Sequence, residues 1–247
     1  MGADRDLAAV LGHLAPSGAD TGLVGVDPAV CARALAVDGV AVSVLTDSGS
    51  SEVLWCSDGA SARLEEQQFT LGQGPGPEVG VRCAPVLVPD MSRVPADRWP
   101  MLLPEAAALG IGAVFCFPLH VGSACLGTLT LQRAAPGPPA EATTTGAWLV
   151  ANALTAVLLE GGPRWDAFAS AEGGSDFYRA AVHQASGMIS VQAGVPVAQA
   201  LLRLRAHAFR HGRRVSEVAE DVVARRLSFR DDGDGPAAAA GEGTDGP

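Results

Sequence analysis

The hydrophobic period changes once along this chain, across a glycine-rich break, and that change divides it into two unlike parts. Before residue 161, short β-branched and aromatic runs alternate with helical stretches. From 176 to 229, apolar residues recur only at helical spacing. The break holds Gly161-Gly162-Pro163 and Gly173-Gly174-Ser175, so residues 161–175 read as a linker. At 247 residues the chain has room for one medium domain and one small one.

In the first part, Leu7, Val10, Leu11 and Leu14 predict an N-terminal helix within residues 1–24. Asp27 reads as an N-cap, with Pro28 at the first helical position. Val40–Leu45 and Val53–Trp55 read as a hairpin, followed by a helix around Ser61–Gln68. Leu71-Gly72-Gln73-Gly74-Pro75-Gly76-Pro77 is expected to be a loop. It lacks the Lys-Ser/Thr ending of a phosphate loop and is not expected to open a helix. Pro85–Asp90 predicts an edge strand and Leu102–Leu109 a helix. Val114–His120 and Cys125–Gln132 predict a second hairpin through Val121-Gly122-Ser123, and Ala140–Leu159 a long apolar helix. The expected class is α+β on an antiparallel sheet, over residues 25–160. Asp47 and Asp90 end strands, but the order lacks alternating parallel βα units, which excludes a phosphoacceptor receiver.

In the second part, residues 176–230 predict a three-helix bundle. Tyr178, Ala181, Val182, Ala185, Met188, Ile189 and Gln192 share one face of the first helix, which Gly194 stops. Val197, Leu201, Leu204 and Ala208 form the inner face of the second, ended by Gly212. Val215, Val218, Ala219, Val222 and Val223 form that of the third. Residues 231–247 carry no apolar anchor and read as a disordered acidic tail.

Charge follows the same division. The chain has no lysine and a net charge of −10. Residues 1–176 hold 8 arginines and 19 acids (−11), residues 177–230 hold 9 arginines and 3 acids (+6), and residues 231–247 hold 5 acids (−5). A basic module between acidic segments points to anion binding. The five cysteines, widely spaced and without a C-x-x-C pair, read as reduced, buried residues in a cytoplasmic protein. No secretory leader is read at the N-terminus, and the apolar run Ala147–Leu159 is too short to predict a membrane span.

On the second helix of the module, Arg203, His207, Arg210 and Arg214 follow steps of four, three and four and predict a basic stripe. Arg205, His211 and Arg213 are expected to widen it. Guanidinium groups one turn apart can meet successive phosphates. His207 and His211 have a metal-compatible spacing but no H-E-x-x-H pattern or third ligand, so no metal is expected, nor any catalytic residue. In the first part, Trp55, Met91, Trp99, Phe115 and Phe117 are candidates to line a small-molecule pocket. Core packing is the competing role for each, and no cofactor is identifiable.

The runs Val182–Ile189, Gly194–Ala200, Leu204–Phe209, Gly212-Arg213 and Val218–Val223 resemble the ANTAR domain. The resemblance implies binding of paired RNA stem-loops that prevents a terminator from forming, and it adds Ser186 to the RNA-contact candidates. Many members carry Lys where Ser186 stands. Leu71–Pro75, Val86–Asp90, Arg98–Pro100, Gly112–Leu119 and Leu126–Leu129 resemble a GAF domain of the type joined to ANTAR modules in actinobacteria. That implies a signal-sensing or dimerising unit with an unidentified ligand, hence an antitermination regulator, expected as a homodimer. The alternatives are a protein-interaction adaptor with a degenerate ANTAR module, a DNA-binding regulator, or a thiol-exchange enzyme.

Overall fold

The computed structural model describes residues 2–15, 26–45, 51–57, 59–160, 175–213 and 215–229. The chain divides into two compact units, residues 1–176 and 177–247. The linker and the tail read from the sequence lie outside the described residues, apart from the start of the helix at Ser175.

In the first unit, α1 (Gly2–Leu14) and α2 (Pro28–Ala34) precede β1 (Gly39–Leu45) and β2 (Ser51–Cys56). Asp27 caps α2, its carboxylate accepting from the Ala29 N–H at 2.8 Å, with Pro28 in the first turn as expected. Then come α3 (Ala60–Leu71), α4 (Pro75–Arg82), β3 (Val86–Val88) and α5 (Leu102–Ala108). The long hairpin β4 (Ala113–Val121) and β5 (Ala124–Arg133) leads into α6 (Glu141–Glu160). The expected loop at 71–77 is corrected, because its second half opens α4. Pro75 and Pro77 fall in the first helical turn, where the missing N–H costs nothing and the fixed φ already suits a helix.

The sheet is fully antiparallel in the order β2-β1-β5-β4-β3, so the class is α+β as expected. Alternation sends Val40, Val42, Phe115, Phe117, Leu119, Leu129 and Leu131 to one face, against α1, α2 and α6. The opposite face turns Ser43, Cys116, Thr128, Thr130 and Gln132 toward α3–α5. There Glu65, only 4% exposed, accepts hydrogen bonds from Ser43 Oγ (2.9 Å) and Gln68 Nε2 (2.8 Å), and the Gly76 N–H donates to Gln68 Oε1 (2.8 Å). Buried polar groups are thereby paired. By length and composition α6 could cross a membrane, but Ala147, Val150, Ala151, Leu154 and Val157 are buried in the apolar core.

The second unit comprises α7 (Ser175–Ala193), α8 (Val197–Arg210) and α9 (Val215–Val223). Gly194 (φ 63°) and Gly212 (φ 60°) stop α7 and α8 in the left-handed region. The chain bends by 105° between Ala181–Ala193 and Val197–Ala208. Val182, Ala185, Ile189, Ala200, Leu201, Leu204, Ala208, Val215, Val218, Ala219 and Val222 form the core, each at most 5% exposed. Val197, expected inside, is 43% exposed, in the first turn of α8. Burial of this many apolar side chains, at roughly 1.5 kcal/mol or more for each large one, carries the small bundle.

Candidate nucleic-acid interface

The steps of four and three on α8 place Arg203, His207 and Arg210 on one flank of the buried Leu204 and Ala208 stripe. Arg210 is exposed and has no acidic partner among the described residues, whereas Arg203 and His207 are half-buried. Arg214 lies outside the described residues. At the end of α8 the His207 and His211 rings stack, centroids 4.1 Å apart at 29°, and His211 Nδ1 donates to the His207 carbonyl at 2.8 Å. Phe229 packs edge-on against His207 at 5.3 Å. Burial lowers the His207 pKa below its usual 6.5, and the nearby His211, Arg210 and Arg213 lower it further. His207 therefore supplies a flat, uncharged ring at neutral pH, between positive groups.

Three expectations about this surface are corrected. Arg205 does not widen the stripe: two residues along a helix is about 200° of rotation, which turns it to the other flank. There it is half-buried, and desolvation lowers its pKa from the ordinary arginine value. Ser186 is 1% exposed, and its hydroxyl donates back to the Val182 carbonyl at 2.8 Å, so it is part of the core and not of a surface. Arg213 is exposed but already held by Asp221 at 2.7 Å, with Glu217 Oε2 at 3.9 Å. Asp221 also takes Arg226 Nε at 2.7 Å, and hydrogen bonds from Arg213 and Arg226 hold its carboxyl below the usual 3.8. Sequence reasoning missed this clamp; the signal was Asp221 lying among the few acids of a basic module.

Beyond α9, Arg225 adopts φ 58° and turns the chain back. Gln192 Oε1 on α7 then accepts from the Phe229 N–H (2.9 Å) and Ser228 Oγ (3.3 Å). A groove of about 780 Å³ lies between the Gln184, Met188 and Val191 face of α7 and Arg225, Leu227 and Ser228. Among the described residues no group of three His, Cys, Asp or Glu is arranged to hold a metal.

In the first unit the five pocket candidates do not line one cavity. Phe115, Phe117 and Trp55 join the core against α1, α2 and α6, where Trp55 Nε1 donates to the Val26 carbonyl (2.8 Å) and Phe117 meets Trp148 edge-on at 5.3 Å. Met91 and Trp99 are buried across the sheet, beside α3–α5. The sheet lies between the two groups.

Comparison with known proteins places a match to the family described as "ANTAR domain" at residues 178–223. No curated protein sequence matches the chain. Among solved structures, the GAF domain of a phosphoenolpyruvate-protein phosphotransferase from Coxiella burnetii is similar at 18% identity and TM-score 0.49, covering 68% of this chain and 97% of that one. The corresponding Acinetobacter domain is similar at 16% identity and TM-score 0.49, covering 64% and 96%.

Proposed function

From the ANTAR domain that residues 178–223 form, we propose that this chain is an RNA-binding regulator of transcription antitermination whose first unit is a GAF-like sensing or dimerising domain. The observation that carries the reading is the family match. The basic flank of α8 supports it: Arg203 and Arg210 share it with His207, whose ring stacks on that of His211. In this reading the arginines meet phosphates, and the imidazole faces offer a stacking surface for an unpaired loop base. Structured RNA is the partner, and the protein acts in the cytoplasm as a homodimer without catalytic chemistry.

The test is binding of the full chain to a tandem stem-loop RNA across a salt titration, beside Arg203→Ala/Arg210→Ala. The expected result is about tenfold weaker binding per arginine, because each removes a charge-assisted hydrogen bond of roughly 1.5 kcal/mol. The log–log salt slope should become shallower by about 1 for each phosphate no longer neutralised. Equal affinity for duplex DNA of the same charge would replace RNA recognition with a DNA-binding role. Burial of Ser186, where many members carry Lys, favours one second reading, a protein-interaction adaptor. Absence of RNA binding by the intact protein would select it.

A further inference from the structure

The five cysteines, read from the sequence as buried, divide by exposure. Cys31 and Cys116 are fully enclosed, while Cys56, Cys83 and Cys125 are half-buried. Two of the half-buried ones meet. Cys83 caps α4 in the left-handed region (φ 49°), its N–H donating to the Val79 carbonyl at 2.8 Å. Cys125, at the start of β5, has its Sγ 3.9 Å from that same carbonyl oxygen and 3.5 Å from the Gly127 oxygen. The two cysteines thus converge on one carbonyl oxygen, and the Cys83 thiol bears on the titration of Cys125. Helix α4 packs directly on β5, so the contact belongs to the fold of this unit.

We propose that Cys83 and Cys125 are an oxidisable thiol pair that a peroxide converts into an intramolecular disulfide joining the end of α4 to the start of β5. One sulfur attacks a peroxide oxygen, breaking the O–O bond and becoming a sulfenic acid with release of water. The second sulfur displaces the hydroxyl of that sulfenic acid, the S–S bond forms and a second water leaves. Two thiols lose two electrons and two protons together, and the peroxide takes them up. A small uncharged oxidant suits half-buried sulfurs. Burial, and then the adjoining Cys83 thiol, push Cys125 up to about 11, so Cys125 rests as a thiol at neutral pH and its reaction speeds up as pH rises. Burial pushes Cys31 up to about 12 and raises Cys116 as well, which leaves those two as inert internal controls.

The experiment treats the full chain with hydrogen peroxide, alkylates it in denaturant and maps peptides without reductant. The expected result is disappearance of two of the five thiols and one peptide pair joined through Cys83 and Cys125, which dithiothreitol releases. In Cys83→Ser or Cys125→Ser the joined pair is absent, and the remaining cysteine is captured by dimedone as the sulfenic acid. The proposal is overturned if both cysteines of the wild type stay alkylatable. It is equally overturned if they are consumed in bonds between chains or to Cys56.

Discussion

Asp221 is the residue whose surroundings most alter the reading of this surface. It is half-buried and binds Arg213 and Arg226 at 2.7 Å each, so two of the module's cations already face an internal anion. Asp221→Asn is expected to release both and to tighten RNA binding severalfold at low salt, an advantage that added salt erases. The same residue gives a pH signature. Its folded pKa is depressed, so its contribution is complete above the ordinary 3.8 and is lost as pH falls through the lower folded value. Protection of the Val218 and Val222 amides from exchange should fall in the wild type as the pH drops below 3.8, with a smaller drop in Asp221→Asn. Spacing put Arg203, His207 and Arg210 on one flank of α8, because three positions on one helix need only a period. Arg213 and Ser186 were misread: the first depends on an acid from another helix, the second on which way α7 faces its neighbours.

At the scale of elements, alternation and turn residues were enough to place the hairpins, the α2 cap and the three C-terminal helices. Partner order in the sheet was not legible, since nothing local says that β1 and β5 lie side by side. That adjacency explains Gly127. A Cβ there would collide with the Ser43 carbonyl oxygen and stand 3.1 Å from Val44 Cα, both backbone atoms of β1. Gly127→Ala should therefore lower stability by about 2 kcal/mol or more, read as a fall in the thermal midpoint, because backbone in a central strand pair has little room to retreat. Helix α4 was missed for the opposite reason. Glycine and proline density argues for a loop, but prolines confined to a first turn leave a helix intact. The pocket expectation failed on sidedness: alternation assigns Phe115 and Phe117 to one face, but only tertiary packing sends Met91 and Trp99 to the other.

For the whole molecule, the unequal distribution of charge is the governing fact: +6 over residues 177–230 and −5 over residues 231–247, by the residue counts above. Under the proposed function, these five carboxylates are competitors of RNA phosphates for the same cations. Deleting residues 231–247 should strengthen RNA binding at low salt, with the difference vanishing once screening lengths shrink to about 3 Å near 1 M salt. Unchanged affinity at low salt would remove the tail from any restraining role. The period change divides the sequence into two parts, and each compact unit buries its own core. A ligand pocket in the first unit was not legible, since buried side chains of similar type fill both sides of the sheet.

The return of the chain after α9 also decides where this domain ends. The family match stops at residue 223, but Phe229 and Ser228 are bound to Gln192, Phe229 rests on His207, and Arg225, Leu227 and Ser228 form one wall of the groove. A fragment cut at the match boundary would discard its own closing strap. It would leave the first helix without its last hydrogen-bonding partners and expose one edge of the histidine stack. The folding unit is longer than the pattern by which it is found, and anything fused to it has its natural junction beyond Phe229.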